Sequence, residues 1–175
     1  MLQPSCQELH RELGIPADFA SRRGLPEYAE AAELVEVGPN LVGRVQRLTP
    51  EAAAGWRRMA GAAAEDGIAL LIVSGYRSHA YQAELIRRKL AQGERLEEIL
   101  RVNAPPGYSE HHSGLAVDVA TPGCRPLTEE FEHSQAFAWL GANAGKFGFS
   151  LTYPRGNPLG FIYEPWHWAL TEKEA

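Results

Sequence analysis

Between Ser109 and Asp118 the chain reads Ser-Glu-His-His-Ser-Gly-Leu-Ala-Val-Asp, which gathers two imidazoles and two carboxylates at the mouth of an apolar run. Imidazole nitrogens and carboxylate oxygens are the donors that zinc takes from proteins. Pro105, Pro106 and Gly107 interrupt regular structure just ahead of the run. After Gly114 the pattern Leu-Ala-Val-Asp-Val-Ala is short, apolar and β-branched, and it predicts a buried strand. His111 then falls on the entry loop and Asp118 within the strand. An ionised carboxylate between Val117 and Val119 is costly unless something positive faces it. A metal ion shared with His111 is one such partner and an arginine is another; this stretch alone does not choose.

A second stretch favours the metal. Tyr163-Glu164-Pro165-Trp166-His167-Trp168 sets a carboxylate three residues before a histidine, between aromatic rings. Alone it reads equally as a packed histidine in a tryptophan-rich strand. Catalytic zinc sites usually take three protein ligands and keep one position for water or substrate. His111, Asp118 and His167 supply two imidazoles and a carboxylate, and Glu164 is left over to take a proton from water. His112 competes with His111, because adjacent residues rarely both reach one ion.

The residues at this point carry a family resemblance. Ser-x-His-x-x-Gly-x-Ala-x-Asp at 109–118, followed by Glu-x-Trp-His at 164–167, resembles the zinc D-alanyl-D-alanine carboxypeptidases of the VanY type. That group includes LD-carboxypeptidases acting on peptidoglycan peptides. Ser74-Gly75-Tyr76-Arg77-Ser78, with Gln82 beyond it, resembles a third signature, and the likeness runs from about Leu48 to Leu170. The resemblance implies one zinc per chain on His111, Asp118 and His167, with Glu164 as base. It implies Arg77 at the scissile carbonyl, and Ser109, Gln82 and Tyr153 near the substrate's terminal carboxylate. It implies an α+β fold, a small, mainly antiparallel sheet flanked by helices, as in the hedgehog/DD-peptidase group. Gly160-Phe161-Ile162 departs from the Gly-Tyr-Ser of familiar members, which bears on substrate preference rather than on the metal.

The implied reaction is removal of a C-terminal D-alanine from a peptidoglycan peptide. LD-cleavage of tetrapeptides is favoured, because a chain without an export signal is expected to meet soluble wall fragments already trimmed to that length. DD-cleavage of pentapeptides ending in D-Ala-D-Ala is the alternative. An endopeptidase of the same fold and a non-catalytic zinc- or peptide-binding module are the competing readings. A free base at Glu164 argues against the module, which has no use for one.

The elements needed to position these groups are legible around them. Thr49-Pro50-Glu51 predicts a helix start, and the helix runs to Glu65 with Trp56 and Met59 facing the core. Ile68 to Val73 predicts a buried central strand, and Gly75 a sharp turn that lifts Arg77 towards a cleft. Ser78 is expected to cap a helix through Gln82 to Leu90. Thr128 to Ala144 reads as one helix, and Leu34 to Gly38 pairs with Leu41 to Val45 as a hairpin. His10 and His79 read as solvated, and His133 as exposed on its helix. The expected organisation is an N-terminal arm and hairpin (1–47) packed on a carboxypeptidase domain (48–175).

At 175 residues the chain has room for a real core, and its 22% charged and 45% hydrophobic residues are ordinary for a globular protein. A net charge of −5 without a basic tract argues against nucleic acid, and no apolar run spans a bilayer. Cys6 and Cys124 are isolated, with no metal-site spacing. Met1 to Arg23 lacks the pattern of an export signal, so a cytoplasmic location is expected, or a periplasmic one if a leader has been removed.

Overall fold

The computed structural model describes residues 4–171. Along the chain run α1 (Pro4–Leu13), α2 (Phe19–Arg23), β1 (Val35–Pro39), β2 (Val45–Leu48), α3 (Pro50–Glu65) and β3 (Leu71–Ser74). Then follow α4 (His79–Ala91), α5 (Leu96–Val102), β4 (Ala116–Ala120), α6 (Gln135–Asn143), β5 (Phe149–Leu151) and β6 (His167–Leu170). The fold is α+β, as expected: β1 and β2 form a hairpin, and four antiparallel strands lie in the order β3-β4-β6-β5. Among the described residues no helix is long and apolar enough to cross a membrane.

β4 is buried at every position, which is why its sequence reads as a continuous apolar run. It pairs with β3 on one side and β6 on the other, placing Ser74 and His167 directly across from Asp118. Beneath the sheet α3 contributes Trp56 and Met59 to a core shared with Val117, Val119, Phe149 and Trp168. Thr49 caps α3 by accepting the Ala52 N–H at 3.3 Å. A fully buried side chain of the size of Met59 contributes about 1.5–3 kcal/mol.

Several local expectations are corrected. The strand expected over 68–73 begins at Leu71 and lies at the sheet edge, not its centre. Its outer side is blunted by the hairpin, where Asn40 Nδ2 donates to Val73 O at 3.1 Å and Gln46 Oε1 accepts from Gly75 N at 3.0 Å. The hairpin's second strand starts at Val45 because Asn40 Oδ1 accepts the N–H groups of Val42 and Arg44, turning 41–44 into the loop. The helix expected over 128–144 breaks at Ser134, whose hydroxyl donates to Phe131 O at 2.6 Å and accepts from Phe137 N at 3.1 Å. That hydroxyl ends one 3-10 turn and caps α6.

Two histidines are not solvated. α1 and the turn after it pack on α4 through Leu13, Ile15, Ala83 and Ile86. This buries His10 against Pro106 O at 2.7 Å, and His79 between Cys6 Sγ and Tyr28 O, both at 3.0 Å. Periodicity within one helix does not report a neighbour that arrives from elsewhere in the chain. His133 is exposed as expected, and both cysteines are free thiols.

Candidate active site

Three turns position the polar groups. After β3 the backbone at Gly75 passes so close to the hairpin that a Cβ there would sit 2.6 Å from Arg47 O. Only glycine fits that approach, and it brings Arg77 over β4. Arg77 N donates to His111 O at 3.1 Å, and Ser78 caps α4 through the Tyr81 N–H. The 3-10 turn Glu110–Ser113 closes at Gly114 in the left-handed conformation (φ 69°), so His111 stands at the entrance to β4. Finally, the turn before β6 is tied by His167 N donating to Glu164 O at 3.1 Å, which holds the acid beside the histidine.

One nitrogen or oxygen from each of His111, Asp118 and His167 lies within 4.8 Å of the others, and all three residues are buried. His111 Nδ1 lies 2.7 Å from Gly75 O, so it carries the proton and leaves Nε2 with a free lone pair. That Nε2 is buried without a hydrogen-bond partner, 3.2 Å from Asp118 Oδ2. His167 presents Nδ1 to Asp118 Oδ1 at 3.0 Å, while its Nε2–H donates to Glu110 Oε2 at 2.7 Å. The orphaned Nε2 and this convergence of two imidazoles on one carboxylate fit a tetrahedral zinc with one position open. His111 would bind through Nε2 and His167 through Nδ1. His112 is excluded: its Nδ1 donates to Arg77 O at 2.7 Å and its Nε2 accepts from Gly107 N at 3.1 Å. It is a strut between two loops.

The charges follow the same geometry. Burial, with Arg77 beside it, pushes the His111 pKa down to about 4. Burial works against charge at His167 too, but hydrogen bonds to Asp118 and Glu110 outweigh it and raise its pKa to about 10. Burial disfavours an ionised Asp118, yet His111 and His167 hold its carboxyl far below the usual range. Glu164, 7% exposed, is raised to about 7, chiefly by burial. Its Oε2 stands 3.9 Å from His167 Nδ1, beside the ligand set.

Arg77 bridges the centre to the cleft wall, with Nη2 3.3 Å from Asp118 Oδ2 and Nη1 donating to Gln82 Oε1 at 3.1 Å. Its Nε is a buried donor without a partner. Gln82 lines the cleft but spends its other end on Ala104 O at 2.9 Å, so its amide is occupied in holding Arg77. Ser109 and Tyr153 also line this cleft of about 390 Å³, and the Tyr153 ring lies 4.7 Å from that of His167. The structure therefore brings all eight expected site residues to one cleft.

Comparison with known proteins follows the same lines. A family model described as VanY, D-alanyl-D-alanine carboxypeptidase, matches residues 45–172. The chain belongs to this family. Relatives of this chain include the Bacillus subtilis carboxypeptidase-like protein YodJ, 33% identical over 86% of this chain and 58% of that protein. A D-alanyl-D-alanine carboxypeptidase of Enterococcus faecalis is 33% identical over 65% of this chain and 44% of its own length. The chain thus spans about half the length of the curated relatives it matches. Among solved structures, the LD-carboxypeptidase LdcB superposes with a TM-score of 0.73 at 31% identity, covering 85% of this chain and 72% of that one. A zinc-bound D,D-pentapeptidase VanY from a VanB-type resistance cassette gives 0.65 at 28% identity, over 86% and 84%.

Glu110 is the residue that sequence reasoning passed over. Its signal was its place beside His111 in the first motif, but nothing local says that it reaches His167. It sets that ring's tautomer, because an Nε2–H donated to a carboxylate leaves Nδ1 free to ligate. Glu110→Ala is expected to weaken zinc binding about 10–100-fold, the usual weight of such a partner. Competition against a chromophoric chelator measures this, and unchanged affinity would remove the role.

Proposed function

We propose that the chain is a zinc-dependent carboxypeptidase that removes a C-terminal D-alanine from peptidoglycan-derived peptides. The observation that carries this reading is a buried His-Asp-His set with a fourth, unneeded carboxylate, Glu164, beside it and an arginine between the set and the cleft. Zinc bound there supplies Lewis acidity, polarising a carbonyl and lowering the pKa of water. Glu164, raised towards neutrality by burial, accepts the proton of the attacking water and returns it to the leaving amine. Arg77, held by Gln82, keeps a donor for the oxygen that gains charge as the carbonyl becomes tetrahedral. Ser109 and Tyr153 lie at the cleft wall and take the substrate's free carboxylate. Glu110 and His112 position these groups from behind, and Gln82, which lines the cleft, holds Arg77 beside the substrate's path.

LD-cleavage of tetrapeptides is the preferred specificity. The LD-carboxypeptidases LdcB and DacB, at TM-scores of 0.73 and 0.62, stand on either side of the D,D-pentapeptidase at 0.65, so the preference rests on the cleft wall rather than on overall likeness. Phe161, which packs on Tyr153 at 5.1 Å between ring centres, shapes the pocket wall where the family pattern has tyrosine. DD-cleavage of pentapeptides is the second reading, supported by the enterococcal relatives. A direct competition decides between them: a soluble tetrapeptide is expected to lose D-alanine faster than a pentapeptide ending in D-Ala-D-Ala. Faster cleavage of the pentapeptide overturns the LD preference, and equal cleavage of free and amidated C-termini overturns the carboxypeptidase reading itself.

A further inference from the structure

The cleft over the metal centre does not end at Arg77. Ser74, Arg77 and Tyr81 in its wall also line a second groove of about 400 Å³ that runs over the hairpin of β1 and β2. This groove carries Arg44, Arg47 and Arg77 and no Asp or Glu, in a chain of net charge −5. Several exposed arginines elsewhere are paired with carboxylates: Arg87 with Glu12, Arg88 with Glu84, Arg155 with Glu132. Among the described residues Arg44 and Arg47 meet tyrosines instead of carboxylates. The Arg44 guanidinium lies 5.4 Å from the centre of the Tyr81 ring and donates to its hydroxyl at 2.6 Å. That of Arg47 lies 5.9 Å from the Tyr76 ring centre. A guanidinium resting on an aromatic face is already oriented, yet keeps donors free for a planar carboxylate.

The frame beneath these arginines is anchored to the catalytic loop. Tyr76 N donates to Arg47 O at 2.8 Å, next to Arg77, and Gln46 and Asn40 tie the hairpin to Gly75 and Val73. A ligand seated in the groove is therefore held in register with the scissile position.

We propose that this groove is a subsite for the part of the substrate that lies away from the cut bond, and that it recognises carboxylate groups on that part of the peptide. The inference rests on the carboxypeptidase reading, which requires the peptide upstream of the terminal residue to leave the cleft along its surface. The groove is continuous with the cleft, and its charge is complementary to an acidic peptide. It also lies partly outside the segment that matches the family model, since Arg44 precedes residue 45.

The test uses the full chain carrying Glu164→Ala, so that binding is read without cleavage. Calorimetry compares two peptides ending in D-alanine, identical except that the upstream residues carry carboxylates in one and carboxamides in the other. The acidic peptide is expected to bind about five- to tenfold tighter, the scale of two exposed charge-assisted contacts. The gap is expected to close when Arg44→Gln and Arg47→Gln are added; both side chains are exposed, so the fold is undisturbed. Equal affinities in the parent, or a gap that survives both substitutions, overturn the proposal. Wild-type protein is assayed in parallel on a blocked dipeptide too short to reach the groove. Its turnover should be the same with and without the two arginines, and a loss on their removal also overturns the proposal. No D-alanine release from either the dipeptide or the long peptides would instead refute the carboxypeptidase reading, and the calorimetric gap would still decide the groove.

Discussion

Glu164→Ala is expected to keep its zinc and its fold while losing turnover by about two to four orders of magnitude, the range that general acid–base assistance supplies. The residue is well placed for that result. It is not needed as a ligand, because His111, Asp118 and His167 already converge without it. It is buried at the end of a turn whose backbone is held independently, by Glu164 N donating to Tyr153 O at 3.0 Å and His167 N to Glu164 O at 3.1 Å. Removing the carboxylate therefore leaves the turn intact. It also takes one negative charge from a centre that already holds Asp118 and Glu110, so the fold does not depend on it. Metal analysis, circular dichroism and a D-alanine release assay measure the three quantities on one preparation. Near-normal turnover with zinc bound would end the assignment of Glu164 as base.

His167→Ala is expected to lose most of the bound zinc, from about one ion per chain, and with it all measurable turnover. The effect should exceed that of removing Glu110, because the ligand itself goes rather than the group that orients it. His167 is also the residue on which two carboxylates converge: Asp118 at 3.0 Å and Glu110 at 2.7 Å. Without it both acids lose their shared partner inside a buried site, so some loss of stability accompanies loss of metal. Zinc content after gel filtration reads the first effect and thermal unfolding the second. His111→Ala should also shed zinc, whereas His112→Ala should retain it, since both its nitrogens are already engaged with Arg77 O and Gly107 N. The opposite pattern would mean that the neighbouring histidine is the ligand.

What could be read from residues alone was chemistry that is local in the chain. The donors at 109–118, the Glu-x-x-His pair at 164–167 and the arginine after a turn glycine are each set by types and short spacings. So are the caps Thr49 and Ser78 and the buried run of β4, because side-chain hydrogen bonds and apolar periodicity act over a few residues. In the sequence only the motif selects His111 over His112. The physical reason came with the fold, which gives His112 two backbone partners and leaves His111 Nε2 with none.

The remainder depends on pairings across long stretches of sequence. Glu110 meets His167 across 57 residues, and His79 meets Cys6 across 73. The strand order that puts β3 at the edge, and the hairpin that covers it, likewise join segments whose sequences carry no mark of each other. Asp118 illustrates the division. Its carboxyl group among valines required a positive partner, and that much followed from the sequence. That the partner is a centre shared by His111 and His167, with Arg77 at its rim, was decided by the antiparallel register of β4 with β6 and β3. Register is a property of the packed sheet, set by which faces are buried together, and no single segment contains it.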